Sequence, residues 1–180
     1  MTRQELYDEM KRFLGFGSED AENLKALRPI LGPHQQAITE HFYEVLGRFP
    51  ETAKLIAGRV DSLKRTHAGW FNDLLAGEYG QSYLESRWRI GMAHVRIGMA
   101  PYWVEVVMSI VRQMAVAAMA NEIRDPHELG RKCASLLKVL DLDLLIINLA
   151  YQDDRMDRLA RFTGMKRALI ENVIKMPEKK

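Results

Sequence analysis

Two histidines carry the chemistry open to this chain. His94 stands in the run IGMAHVRIGMAPYW, from Ile90 to Trp103, and His67 in LKRTHAGWFNDLLAG. Tyr83, Arg87, Ile90, His94 and Ile97 recur at i, i+4, i+7, i+11 and i+14, so His94 shares a helical face with aliphatic side chains. Val60, Leu63, His67, Trp70 and Leu74 recur at i, i+3, i+7, i+10 and i+14, which sets His67 in the middle of a second apolar stripe, flanked by Thr66 and Phe71. An imidazole on such a face has two readings. Either it is a core residue whose ring proton is satisfied within the protein, or it gives one nitrogen to a metal while the other donates to an acceptor. Buried with neither, it costs about 1–3 kcal/mol. Gly91 and Gly98 bracket His94. Each costs about 1 kcal/mol in a helix, a loss tolerated where something bulky must approach the backbone, and a flat cofactor would fit.

The elements that must position these rings read as helices throughout. Thr2 and Glu5 form a capping box for a first amphipathic helix, with Leu6, Met10, Phe13 and Leu14 on its stripe and Gly15 and Gly17 at its end. Ser18, Glu19 and Asp20 open a second, with Leu24, Leu27 and Leu31 inward, stopped near Pro29 to Gly32. A third runs from Pro33 to about Arg48 with Ile38, Phe42, Val45, Leu46 and Phe49 buried and Tyr43 at the edge of that row. His34 reads as solvent-facing. Phe49-Pro50-Glu51 ends this helix and starts a short one through Ile56. The His67 helix ends at Gly77, and Pro101 closes the His94 helix and opens the next, over 101–123. Asp125-Pro126 starts a helix over 126–152. Its row is Leu129, Cys133, Leu136, Leu137, Leu140, Leu144, Ile147 and Tyr151, while Val139, Leu142, Leu145 and Ile146 fall on other faces. A helix apolar nearly all round is buried on two sides, so a second subunit is expected against the helices 101–123 and 126–152, as an intermolecular four-helix bundle. A carboxy-terminal segment of the same chain is the competing cover. Residues 154–180 supply one, an amphipathic stretch with a possible break at Gly164 and a basic tail.

Composition narrows the function classes. The chain has 180 residues, 47% hydrophobic and 28% charged, with a net charge of +2, which gives one soluble domain and no strong pull toward nucleic acid or an anionic membrane. The apolar segments around Val106 to Ala120 and Leu136 to Ala150 are interrupted by Arg112, or by Asp141 and Asp143, and neither spans a bilayer convincingly. No signal-peptide pattern opens the chain, so the cytoplasm is the expected compartment. The single Cys133 allows no internal disulfide, and without a C-x-x-C-H any metal-bearing cofactor is held non-covalently. Nucleophile elbows, phosphate loops and zinc spacings do not occur.

The motif HVRIG followed by Pro-x-Trp, preceded by GEYGQSYLESRWRIG, LKRTHAGWFNDLLAG and FYEVLGRFPET, resembles the globin domain of the globin-coupled sensors over roughly Glu5 to Tyr151. The resemblance implies an all-α globin fold with an additional N-terminal helix, dimerising through its last two long helices. It divides the chain into a sensor globin domain at 1–153, with a pre-globin helix at 1–17, and a carboxy-terminal helix and tail at 154–180. It implies haem b with His94 as proximal ligand. It maps the distal groups onto Tyr43, Leu63 and Thr66, with Phe42, Trp70 and Ile97 completing the pocket. The position of His67 is ordinarily apolar in that family. Here the ring either coordinates iron from the distal side, giving a bis-histidyl haem, or packs beside the pocket. Val104 stands where relatives often carry a tyrosine.

The function this implies is sensing of a diatomic gas (O2, CO or NO) or of redox state. The signal would pass through the dimer helices to a partner protein or an output domain outside these residues. A haem enzyme, such as a peroxidase or nitric-oxide detoxifier, and a cofactor-free globin-fold signalling module are the alternatives. The former lacks any flavin or nicotinamide motif for electron delivery. Arg87, Arg96 and Lys64 are candidate partners for haem propionates by proximity alone.

Overall fold

The computed structural model describes residues 1–176. Nine α-helices fold there: α1 (Arg3–Leu14), α2 (Ser18–Leu31), α3 (Gln35–Gly47), α4 (Pro50–Ile56), α5 (Val60–Leu74), α6 (Gln81–Arg96), α7 (Pro101–Glu122), α8 (Pro126–Thr163) and α9 (Arg167–Ile174). A 3-10 turn over Gly32–His34 joins α2 to α3. The all-α expectation is met, and the caps explain the breaks. Thr2 and Glu5 satisfy each other's backbone N–H, and Gly15 ends α1 in the left-handed region at φ 60°. Asp20 accepts from the backbone N–H of Gly17 to start α2, and Asp125 accepts from His127 N to start α8. Gly98, at φ +72°, makes the sharp turn that lets Pro101 begin α7.

The main core gathers Leu24, Leu27 and Leu31 of α2, Tyr83 and Leu84 of α6, Met108, Val111 and Met119 of α7, and Leu136, Val139, Leu140, Leu142 and Ile146 of α8. Two smaller clusters flank the space between α5 and α6. One holds Phe42, Leu46 and Ile56, the other Met99, Val104, Ile147 and Tyr151. By length and composition α7 would suffice to cross a bilayer. One face of it enters the core, with Val104, Met108, Val111, Ala115 and Met119 buried.

Several expectations change. The long helix does not stop near Gln152 but continues to Thr163, where Gly164 caps it at φ 70°, so residues 153 and 154 lie in the same turn of one helix. The His67 helix ends at Leu74 rather than Gly77. Phe49 is not buried, and His34 is half-buried rather than solvent-facing. Val139, Leu142 and Ile146, assigned from sequence to a face in need of a partner, are each 0% exposed within the chain. They are covered because α8 is wrapped by α2 and α6 as well as α7. Tyr102 and Val106 of α7 and Leu137, Leu145, Leu159 and Phe162 of α8 stay exposed. Gly91 does not open a path for a flat group. A Cβ there would meet Ala150 Cβ at 2.7 Å and Ile147 O at 3.1 Å, so this glycine lets α6 close on α8. The basic tail expected beyond Met176 lies outside the described residues.

One buried carboxylate ties the helices around the two histidines together. Asp143 of α8, 0% exposed, accepts from Trp70 Nε1 at 2.7 Å, Tyr83 Oη at 2.5 Å and Arg87 Nε at 3.0 Å. Arg87 donates further to Asp73 at 3.2 Å and to the Trp70 carbonyl at 3.2 Å. Burial pushes the Asp143 carboxyl up, against the opposing pull of Arg87 and the hydrogen bonds of Tyr83 and Trp70. Burial works against the charge on the Arg87 guanidinium, but Asp143 and Tyr83 together hold its pKa up and it stays charged. α5, α6 and α8 are thereby fixed to one another beneath the site.

Candidate haem site between α5 and α6

A cavity of about 410 Å3 opens between α3, α5, α6 and α7. Its volume lies within the range of small-molecule pockets. All eight residues singled out from sequence line it: Phe42 and Tyr43 from α3, Leu63, Thr66, His67 and Trp70 from α5, His94 from α6 and Ile97 from the turn after it. Arg96 lines it as well. Of the other two basic candidates, Lys64 is not on the wall, and Arg87 is committed to Asp143 and Asp73 in the interior.

Each imidazole has a definite electrostatic state. Burial lowers the pKa of His94 and of His67 to about 4, so both rings are neutral at pH 7 and each keeps one nitrogen lone pair. Their surroundings differ. The His67 ring lies against Phe42 at 4.6 Å and Trp70 at 4.8 Å between centroids, and its Nδ1 is 2.8 Å from Thr39 Oγ1. No ring nitrogen of His94 is bonded by the protein among the described residues, and its Nδ1 is buried without a partner. The Trp103 Nε1 donor on the same cavity is also buried and unpaired. Val104, 8% exposed, also lines the cavity and adds no polar group to it.

These features fit a haem. Among the described residues no group of three or more His, Cys, Asp or Glu side chains could hold a metal ion by itself. Two neutral imidazoles on one apolar cavity suit a metal that brings its own equatorial ligands. The unpaired nitrogens of His94 and Trp103 are unusual in an interior where buried polar groups are otherwise bonded, and a bound group offering partners would recover about 1–3 kcal/mol for each.

On the α3 wall, burial pushes the Tyr43 hydroxyl up to about 12, so it remains a proton donor at any physiological pH. The Thr66 hydroxyl donates to the Ser62 carbonyl at 3.1 Å, so its proton is used within α5 although the residue lines the cavity. The turn after His94 is anchored by Tyr151 Oη, which donates to the Met99 carbonyl at 2.7 Å and so joins that turn to α8.

Sequence reading missed Thr39 and Asp143. Thr39 lies four residues after Gln35 and three before Phe42, on the row that faces α5, and a polar residue there needs a partner. Asp143 is an acid inside an otherwise leucine- and isoleucine-rich run; it registered only as a break in a bilayer span, whereas its burial is a sign of a paired charge.

The neutrality of both rings sets a pH dependence for the protein without cofactor. The unfolded histidines titrate near 6.5 and the folded ones near 4, so below pH 6.5 the unfolded chain takes up protons first and stability falls. Above 6.5 neither ring adds a slope. Between pH 6.5 and 5 each ring is expected to remove up to about 2 kcal/mol, less where cavity water solvates the charge. Urea midpoints across that window measure it, and His67→Ala should flatten the slope by that ring's share.

The helical order, the extra helix before the globin core and a cavity flanked by α5 and α6 define a globin domain. The chain belongs to the Protoglobin family, whose model matches residues 3–157, and it is a globin domain of the globin-coupled sensor type. It is similar to the globin domain of the Geobacter sulfurreducens globin-coupled sensor, with 34% identity and a TM-score of 0.76 over 80% of this chain and 96% of that one. The globin domain of E. coli DosC in its ferric form shares the fold, with a TM-score of 0.67 at 13% identity over 80% of this chain and 98% of that one. The Heme-based aerotactic transducer HemAT of Halobacterium salinarum is 26% identical over 159 residues, 82% of this chain. The chain spans 32% of that relative's length.

Proposed function

We propose that this chain is a haem-based sensor of a diatomic gas (O2, CO or NO) or of redox state. The observation that carries the reading is a pair of neutral imidazoles, one on α5 and one on α6, lining the same apolar cavity. Haem b iron, when bound, supplies reversible ligation of a diatomic molecule and a one-electron couple. His94 is the residue that would hold it from the proximal side and His67 from the distal side. Phe42, Leu63, Trp70 and Ile97 exclude water from the cavity. Tyr43 presents a hydroxyl proton toward a polar ligand, and Arg96 is the cation on the wall that suits a carboxylate. The printed description of the Halobacterium relative, a haem-based aerotactic transducer, supports the sensing role over an enzymatic one.

The sensing body takes in residues 1–153, and 154–176 continues it as the end of α8 and α9 toward a partner protein or output domain. Exposed Val106, Leu137 and Leu145 mark the face through which α7 and α8 would pair two copies. Nothing in the site calls for nucleic acid or membrane, in keeping with a cytoplasmic protein. A carbon monoxide titration of the ferrous protein tests the function: reversible, saturable binding is expected, with an association rate that levels off at high gas concentration because His67 must leave first. Sedimentation at micromolar concentration reads the pairing. A ferrous haem-loaded protein that binds no gas would overturn gas sensing and leave only the redox reading.

A further inference from the structure

The geometry points to Thr39 as a positioning residue that fixes the His67 ring in the tautomer whose free nitrogen faces the cavity. Thr39 is 4% exposed on α3, and its hydroxyl lies 2.8 Å from His67 Nδ1 and 2.8 Å from the Gln35 carbonyl. That hydroxyl has one proton and two acceptor lone pairs, so it can donate to one neighbour only. Two arrangements are open. If Thr39 donates to His67 Nδ1, the ring proton sits on Nε2, which has no acceptor among the described residues and no lone pair to offer. If Thr39 donates to Gln35 O, the ring brings its proton to Nδ1 and donates it to Oγ1. Both protons are then satisfied, and Nε2 keeps its lone pair.

The second arrangement avoids an unpaired N–H on the wall of an apolar cavity, which decides between them. The pair is also held in register. Gln35 Nε2 donates to the Ala68 carbonyl at 2.8 Å, so the residue that accepts from Thr39 clamps α5 one position beyond His67. The ring is packed on both sides, by Phe42 and Trp70, and Trp70 is fixed in turn through Asp143. A ring flip, which would put a carbon against Thr39 Oγ1, therefore gains no new partner from its immediate neighbours.

The consequence for ligand binding rests on the proposed haem reading; the tautomer itself does not. A hydrogen bond from Nδ1–H raises the basicity of the opposite nitrogen. Thr39 would thus strengthen the closed state in which His67 occupies the distal position, and a gas would compete against that bond as well as against the ring.

The test has two arms. In the apo-protein, long-range proton–nitrogen correlation spectra of histidine labelled with 15N report which His67 nitrogen carries the proton. The Nδ1–H form is expected in the wild type, with a shift toward a mixture in Thr39→Val and restoration in Thr39→Ser. A wild-type ring protonated on Nε2 would overturn the proposal whether or not the protein binds haem. In the haem-loaded protein, Thr39→Val is expected to raise the high-spin ferric fraction, to speed carbon monoxide association about tenfold and to move the reduction potential upward, again with rescue by Thr39→Ser. Thr39→Ala serves if the valine variant does not fold. A low-spin wild type whose spin state and association rate are unmoved by Thr39→Val would sink the role of Thr39 and leave His67 ligation standing. A high-spin wild type would sink His67 ligation and leave the tautomer to the first arm.

Discussion

His94→Ala is expected to abolish retention of haem through purification and to weaken haemin binding by more than about 100-fold. Outer-shell partners of a metal ligand are themselves worth about 10–100-fold, and His94 is the ligand proposed. The loss is not structural by necessity. His94 makes no side-chain hydrogen bond among the described residues, and its ring lines a cavity rather than filling a core position. The variant should keep its helical content and gain stability below pH 6.5, since one ring with a lowered pKa has been removed. Added imidazole should restore part of the Soret absorbance by occupying the space left. Undiminished haem binding by a folded His94→Ala protein would mean that the proximal assignment is wrong.

The second large effect is expected at His67. With the ring removed, the ferric protein should change from a low-spin to a high-spin spectrum. Carbon monoxide should associate faster by the reciprocal of the fraction of time the wild-type site is open, since apparent affinity scales with the binding-competent population. For a closed state favoured by about 1.4–2.7 kcal/mol that is roughly 10–100-fold. Stopped-flow mixing measures it, and the plateau in rate at high gas concentration should disappear. A low-spin spectrum that survives the substitution would place His67 beside the pocket, as a ring held by Thr39 and stacked on Trp70, and not on the iron.

The fold was legible where backbone chemistry is local. Capping residues, prolines at first turns and glycines beyond last turns gave most helix boundaries to within a few residues, because those signals act within four residues of themselves. Helical periodicity put Phe42, Leu63, His67, Trp70, His94 and Ile97 on apolar rows, while Tyr43 and Thr66 came from the globin resemblance, and all eight line one cavity. What stayed hidden depends on which helix a face meets. Gly91 could have faced a cofactor or another helix, and only the approach of Ala150 decides it. Val139, Leu142 and Ile146 could have faced a second subunit or α2 and α6, and periodicity assigns no partner to a stripe. Arg87 shares the row of His94, but two turns along the helix is enough to carry it from the cavity to the Asp143 carboxylate. Thr39 and His67 are 28 positions apart, and nothing short of the tertiary fold brings them to 2.8 Å.

Haemin titration of the apo-protein, followed by absorption between the near ultraviolet and the visible, tests the central claim most directly. Two neutral imidazoles lining one cavity predict a saturable Soret band that reaches its limit at one haem per chain, with the low-spin ferric features of two nitrogen ligands. Spectra that remain those of free haemin at every ratio would contradict it, and the cavity between α5 and α6 would then serve something other than a porphyrin.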